Sequence, residues 1–178
     1  KSTFIRTVAI NTLLAQTINI CFAEDFTAPF LKLYSSIRIT DNLSENTSYY
    51  LEEVLQIKKL LDCSKEDTPK LFVLDEIFKG TNTEERIAAG KSILSYLNTA
   101  QNIVMVSTHD IELTEMLTQN DFDLYHFSES IQNQELNFDH KLKEGPLKTK
   151  NAIKILALYD FPKPVSYTHL RAHETDSY

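Results

Sequence analysis

The chain has 178 residues, of which 42% are hydrophobic and 24% are charged, and its formal net charge at pH 7 is −7. This length and composition are ordinary for one soluble globular domain that can bury a real core. The negative charge argues against a broad basic surface for gripping nucleic acid, and no segment reaches the ~18 consecutive apolar residues of a membrane span.

Two cysteines, Cys21 and Cys63, stand far apart in the sequence and lack the spacing of a metal site. We interpret them as reduced thiols, which predicts a cytoplasmic protein. A disulfide between them is the alternative.

The chain opens with Lys1, Ser2 and Thr3, which resemble the second half of a phosphate-binding loop. In such a loop, G-x-x-x-x-G-K-[ST] leads into a helix whose N–H groups hold phosphate oxygens. We expect Lys1 to neutralise the β- and γ-phosphates of a nucleotide and the Ser2 hydroxyl to ligate Mg²⁺. On this interpretation the chain begins inside the motif. The expected helix has its apolar residues at Phe4, Ile5, Val8, Ala9, Leu13 and Ile18.

Alternating apolar residues predict a strand over residues 30–39, which a polar run over residues 40–47 ends. Ser48 then precedes an apolar stripe with i, i+4, i+7, i+11 spacing, and this predicts an amphipathic helix that starts near the serine. Ser48 is either the ordinary N-cap of that helix or a residue that faces the γ-phosphate of a nucleotide on a second subunit. The stripe consists of Tyr50, Val54, Ile57 and Leu61.

Four consecutive apolar residues at 71–74 precede the carboxylates Asp75 and Glu76. The apolar run predicts a short strand that is buried on both faces, as in a parallel sheet, where ligands lie outside the carboxyl ends of the strands. This arrangement is typical of the Walker B motif of a P-loop ATPase. Asp75 would hold Mg²⁺ and Glu76 would polarise the attacking water. The plainer alternative is a strand that ends in a solvated acidic turn.

A polar turn over residues 80–83 follows, in which Thr83 can cap the next helix. The apolar run at 102–107 predicts another buried strand. His109 follows this strand and is therefore a candidate sensor of the γ-phosphate, although most lone histidines are structural or solvated. Asp110 can cap the helix after it.

Between residues 122 and 142, apolar and polar residues alternate on both sides of Asn133 and Gln134. This pattern predicts an antiparallel hairpin, a usual edge addition to such sheets. A last helix is expected to end near residue 162. Residues 165–178 have no apolar period, and we interpret them as a non-native tail.

Five segments occur in the order found in the ATPase domain of the MutS mismatch-repair family, which the chain resembles. They resemble the family's G-K-S-T-x-[IL]-R, its helix continuation, S-x-F-x-x-E, D-E-[IL]-x-[RK]-G-T-[SN]-T and [AS]-T-H. Any one of them alone is a weak signal, whereas five in order are specific. The segments are K-S-T-F-I-R at 1–6, T-L-L-A-Q at 12–16, S-Y-Y-L-E-E at 48–53, D-E-I-F-K-G-T-N-T at 75–83 and S-T-H at 107–109.

The resemblance implies one ATPase domain over residues 1–164, with an α/β fold of the P-loop NTPase class. The expected sheet is ABC-ATPase-like, mostly parallel and flanked by helices, with an antiparallel edge hairpin. ATP and Mg²⁺ are the implied cofactors. The implied catalytic residues are Glu76 and His109, the implied metal ligands Ser2 and Asp75, and the implied nucleotide contacts Lys1, Ser2, Thr3, Ser48, Thr81 and Asn82.

The resemblance further implies a function in DNA repair or recombination. Two nucleotides would lie between two subunits of a homodimer or a paralogous heterodimer, and their state would be coupled to the clamping of mismatched or branched DNA. Double-stranded DNA would be contacted by domains outside this chain. Phe78 and Lys79 stand where repair members more often have Gly-Arg, and Asn82 replaces the commoner Ser, so a divergent branch is expected.

Two alternatives belong to other classes. The first is an ABC- or SMC-like ATPase that serves transport or chromosome structure, although no Leu-Ser-Gly-Gly-Gln segment precedes the Asp-Glu strand. The second is a dimerisation module that does not hydrolyse ATP. The full set of candidate site residues argues against it: Lys1, Ser2, Asp75, Glu76 and His109.

Overall fold

The structure is a computed structural model of the chain. Its residues group into two compact units, Lys1–Phe122 and Asp123–Tyr178. The residues that the structure describes are 1–37, 49–78, 81–99, 101–118, 122–132 and 135–147.

The first unit contains a parallel sheet of three strands in the order β1-β2-β3. The strands are β1 (Lys32–Ser36), β2 (Lys70–Asp75) and β3 (Asn102–Ser107). In the register of the sheet, Asp75 lies opposite Ser107, so β2 and β3 end side by side. The prediction of a parallel α/β sheet is confirmed. The polar residues that follow β2 and β3 consequently meet at one edge.

Four helices accompany the sheet: α1 (Ser2–Ile18), α2 (Tyr49–Ser64), α3 (Thr83–Leu97) and α4 (Ile111–Thr118). All four were predicted from the sequence, α1 and α2 from their apolar spacing and α3 and α4 from their expected capping residues. Helix α1 ends at Asn19, which adopts the left-handed conformation (φ 56°) that often terminates helices.

The N-cap of α3 is one residue earlier than predicted. Asn82, not Thr83, is the cap, because its extended backbone allows its side-chain oxygen to accept a hydrogen bond of 2.9 Å from the backbone N–H of Glu85. Thr83 is already helical. Glu84 and Glu85 add negative charge near the positive end of the helix dipole.

Two hydrophobic clusters form the core, one on each face of the sheet. Successive residues of β2 point to opposite faces, so Phe72 and Leu74 enter one cluster while Leu71 and Val73 enter the other. Helices α2, α3 and α4 cover the first face, and α1 covers the second. These four side chains are at most 2% exposed, and burial of each contributes about 1.5–3 kcal/mol. Strand β2 is therefore buried on both faces, as predicted, and packing from both sides holds it in place.

The amino end of β2 carries a charged residue in the core. Lys70 is fully buried, and its ammonium group donates hydrogen bonds of 2.6 Å to the carbonyls of Glu66 and Thr68. Nearby, Lys32 forms an exposed ion pair of 2.8 Å with the carboxylate of Glu66. Backbone oxygens close in sequence thus satisfy the buried ammonium group.

The second unit is antiparallel. Strand β4 (Tyr125–His126) pairs with β7 (Lys143–Glu144), and β5 (Glu129–Gln132) pairs with β6 (Glu135–Phe138) across positions 133–134. The predicted antiparallel hairpin is confirmed, whereas its role as an edge of the parallel sheet stays a prediction. Among the described residues, its strands pair only with each other, because the chain supplies each with an antiparallel partner nearby in sequence.

Two expectations on the C-terminal part, the last helix near residues 152–162 and the non-native tail at 165–178, lie outside the described residues. Cys21 and Cys63 are both free thiols. In the described parts of the chain, no helix combines the length and the apolar character needed to cross a bilayer.

Candidate functional site

The carboxyl ends of β2 and β3 meet the N-terminus of α1 at one carboxylate. Oδ1 of Asp75 accepts a hydrogen bond of 2.7 Å from the Ser2 hydroxyl and another from the Ser107 hydroxyl. Its second oxygen, Oδ2, lies 3.4 Å from the guanidinium of Arg6. Three elements thus converge on one side chain, which makes Asp75 the centre of the site.

These contacts decide the charge of Asp75. Its side chain is only 9% exposed, and burial alone would raise its pKa. The hydrogen bonds from Ser107 and Ser2, together with the positive charge of Arg6, outweigh that effect, and the pKa of Asp75 lies below its ordinary value. Asp75 is therefore an ionised, pre-oriented carboxylate at neutral pH.

Glu76 leaves the strand in an unusual backbone conformation. Its φ of 55° is left-handed, while its backbone N–H still donates to the carbonyl of Ser107 at 3.0 Å. Phe78 is also left-handed, with φ 56°. Such a conformation costs a non-glycine residue on the order of 1 kcal/mol. The ring of Phe78 is buried and lies 6.0 Å from the ring of Tyr50 in α2, and this packing helps to hold the turn.

The Glu76 carboxylate faces the turn that follows β3. Its Oε1 lies 2.8 Å from Nε2 of His109, and the two side chains are 14% and 75% exposed, respectively. The ammonium of Lys1 donates a hydrogen bond of 2.7 Å to the carbonyl of Thr108 and lies 3.5 Å from Nδ1 of His109. The carboxylate of Glu76, the imidazole of His109 and the ammonium group of Lys1 therefore lie close together.

Five of the predicted site residues come together at this edge of the sheet. They are Lys1, Ser2, Asp75, Glu76 and His109. The contacts of Lys1 and Ser2 with the other parts of the site span 73 to 108 positions of the chain, so the fold is what assembles them.

Three other predicted residues have local contacts instead. Thr3 is exposed on α1, and its carbonyl accepts a hydrogen bond from the Thr7 hydroxyl. The Thr81 hydroxyl donates to Glu85 at 2.8 Å, and Asn82 caps the same helix. Ser48 lies outside the described residues, immediately before the first residue of α2.

Sequence reasoning missed several residues at the site. Ser107 was noted only as part of a motif; its position opposite Asp75 would have identified it once the two strands were paired. Asp110 was expected to cap α4. Instead its carboxylate accepts two hydrogen bonds from Arg86 of α3, Nε to Oδ2 at 2.9 Å and an NH2 group to Oδ1 at 2.7 Å. No sequence signal marks this pair, since the two residues are 24 positions apart.

Two clefts flank Glu76. The larger, of about 250 Å³, is lined by carboxylates from α2 and from the end of β2. The smaller, of about 130 Å³, extends from Glu76 to the Arg86–Asp110 pair. Within the described residues, no three His, Cys, Asp or Glu side chains are grouped so as to hold a metal ion. A cation at this edge would therefore depend on Asp75, a hydroxyl group and a ligand's own oxygens.

Comparison with known proteins gives consistent matches. The family model of MutS domain V matches residues 1–175. The chain is 30% identical over 168 residues to the DNA mismatch repair protein MutS of Listeria monocytogenes, covering 92% of this chain and 19% of that protein. It is also 30% identical to MutS of Staphylococcus aureus, covering 93% and 19%, and 26% identical to MutS 2 of Haloarcula marismortui, covering 93% and 18%. The chain thus spans about a fifth of the length of these relatives.

Proposed function

The chain belongs to the MutS family, as its domain V, and from this premise we propose that it is a Mg²⁺-dependent ATPase domain whose nucleotide state is coupled to DNA. The observation that carries the proposal is the convergence of five side chains at the carboxyl edge of the sheet. They are Lys1, Ser2, Asp75, Glu76 and His109. Family membership also argues against the ABC- or SMC-like alternative.

The donors at the site suit a magnesium nucleotide. The Ser2 hydroxyl and the Asp75 carboxylate are hard oxygen ligands of the kind that Mg²⁺ prefers, and they already contact each other. Lys1 lies at the N-terminus of a helix of 17 residues, where the helix dipole favours an anion. Bound Mg²⁺–ATP would supply the phosphoanhydride bond and a divalent charge that offsets its phosphates.

Each residue then has a defined task. Asp75 stays ionised because of its hydrogen bonds, and Asp75 and the Ser2 hydroxyl that it holds would be the protein's ligands for Mg²⁺. Lys1 offers its ammonium group to phosphate oxygens. Glu76 accepts a proton from the attacking water, and His109, at 2.8 Å, fixes the orientation of that carboxylate and senses the γ-phosphate.

The remaining assignments concern the assembly. Ser48 would act across the interface of a homodimer or a paralogous heterodimer, and the turn at Thr81 and Asn82 would link the two composite sites. The matched relatives are named as DNA mismatch repair proteins, so we propose that closure of this dimer is coupled to clamping of mismatched or branched DNA. Because this chain carries a net charge of −7, double-stranded DNA would be bound outside it, and the setting would be cytoplasmic.

The test is ATP turnover by the complete gene product that contains this sequence. Turnover is measured without DNA and with paired, mismatched and branched duplexes. We expect one DNA structure to change turnover, and Glu76→Gln to bind ATP while losing about 10²- to 10⁴-fold in kcat. Glu115→Gln, an exposed position on α4, is the matched control and should keep wild-type turnover. If turnover is unaffected by Glu76→Gln, or by every DNA, the proposal fails.

A further inference from the structure

His109 lies in the turn between β3 and α4, outside regular secondary structure, and its side chain is 75% exposed. Its distance from Glu76 therefore depends on how the residues on either side of it hold this turn.

Both neighbours of His109 are held. The carbonyl of Thr108 accepts a hydrogen bond from Lys1, and the Thr108 hydroxyl accepts one of 3.0 Å from the backbone N–H of Asp110. The carboxylate of Asp110 is bound by both nitrogens of the Arg86 fork, and these two side chains are 21% and 19% exposed. A two-bond contact between planar groups resists rotation as well as displacement.

Arg86 is in turn fixed to the first turn of α3. Its backbone N–H donates to the carbonyl of Asn82 at 3.0 Å, and its NH2 group lies 3.5 Å from the Thr83 hydroxyl. The Arg86–Asp110 pair therefore connects the turn at Thr81 and Asn82 to the turn that carries His109. The hydrogen bonds of these two side chains run to each other and to the Thr83 hydroxyl.

We propose that Arg86 and Asp110 are positioning residues that hold His109 against Glu76, and that they transmit the position of the Thr81–Asn82 turn to His109. This inference rests on the proposed ATPase function. Neither residue touches the reacting groups, so their effect on turnover passes through His109. The fork of arginine is required, because lysine offers a single ammonium group in place of two parallel donors.

The experiment is a double-mutant cycle for ATP turnover in the complete gene product. The variants are Arg86→Lys, Asp110→Asn and His109→Ala, with each of the first two also combined with the third. We expect Arg86→Lys and Asp110→Asn each to lower kcat by about 10- to 100-fold while KM changes less than about twofold. In the His109→Ala background neither substitution should lower kcat further.

The control breaks a different ion pair of the same unit. Lys32→Ala removes the contact with Glu66 at the other end of the sheet and should leave kcat unchanged, alone or with His109→Ala. Asp110→Asn preserves the shape of the side chain, so the cycle remains informative if Arg86→Lys does not fold.

The outcomes separate two failures. Equal losses of kcat with and without His109 would mean that the pair only stabilises the fold, and would overturn the inference while leaving the ATPase proposal in place. No loss from either substitution would overturn it as well. Wild-type turnover that does not depend on Glu76 would overturn the proposed function, and this inference with it.

Discussion

The amino and carboxyl ends of β2 each bury a charged side chain, but they satisfy it differently. At the amino end, Lys70 bonds to two backbone carbonyls that lie two and four positions away in sequence. At the carboxyl end, Asp75 is bonded by Ser2 and Ser107, which are 73 and 32 positions away. The Lys70 side chain is therefore hydrogen-bonded by residues just before it in the sequence, whereas the Asp75 side chain is hydrogen-bonded by residues that only the tertiary fold brings close.

This difference between the two ends of β2 predicts that the Lys70 contacts affect stability and that the Asp75 contacts affect function. Local partners form together with the strand, so the Lys70 contacts belong to the same folding unit as β2. Partners from α1 and β3 meet at Asp75 only when that helix and both strands are in place, so the geometry there reports on tertiary structure. Substitutions at the two ends should accordingly affect different measurements.

The largest effect is expected from Asp75→Asn. On the proposed function, the negative charge of Asp75 would support bound Mg²⁺, so its loss should lower ATP turnover by about 100-fold or more. The free energy of unfolding should change by only about 1–2 kcal/mol. Steady-state turnover and urea denaturation measure the two quantities. Asp62→Asn, at an exposed ion pair, is the matched control. If the Asp75→Asn variant keeps turnover within threefold of wild type (about 0.7 kcal/mol), the carboxyl end of β2 does not have the functional role that we assign to it.

The next effect is expected from Lys70→Met. Methionine fills a similar volume but leaves the carbonyls of Glu66 and Thr68 without their donor, which should lower the free energy of unfolding by about 1–3 kcal/mol. The folded fraction should keep its kcat. Lys58→Met, at an exposed position on α2, should leave stability unchanged. A selective loss of kcat without destabilisation would show that the amino end is not merely structural.

The smallest effect concerns pH. The folded-state pKa of Asp75 lies below its ordinary value of 3.8, so its stabilising contribution is complete above that value and is lost as pH falls through the folded pKa. In urea denaturation series at falling pH, wild-type protein should lose more stability below about pH 4 than Asp75→Asn does. Equal losses would contradict this.

Added salt should distinguish the contribution of Asp75 to the pH dependence of stability from that of Glu66. Glu66, at the amino end, also has a lowered pKa, caused by its hydrogen bond and ion pair with Lys32. That pair is exposed, so about 0.5 M NaCl should weaken its pH dependence. The pH dependence due to Asp75, which arises largely from neutral hydroxyl donors, should persist.

The sequence was sufficient for features that depend on neighbouring residues. The apolar runs at 71–74 and 102–107 predicted two strands, and the polar residues after each run predicted where a site would lie. Strand β2 is buried as predicted, whereas β3 is mostly half-buried, because among the described strands it lies at the edge of the sheet. The capping residue of α3 was missed by one position, because Asn82 and Thr83 are both good caps and only the backbone conformation distinguishes them.

Features that depend on tertiary pairing were not predictable in this way. The Arg86–Asp110 contact joins α3 to the turn before α4, and neither the residue types nor their spacing in the sequence predicts it. The alternating pattern between residues 122 and 142 predicted the hairpin. Such a pattern does not specify which further strand the hairpin would pair with. The assignment of Ser48 stays a prediction.

The left-handed turn after Asp75 limits which residues evolution can accept there. At position 78, glycine removes the backbone cost but also removes a buried ring that packs against Tyr50, whereas phenylalanine keeps the ring and bears the cost. Valine, isoleucine and threonine satisfy neither requirement. We therefore expect relatives to have one of two residue types at this position, either glycine or a large aromatic residue. Phe78 is of the second type, and Phe78→Gly would remove the ring that contacts Tyr50 of α2.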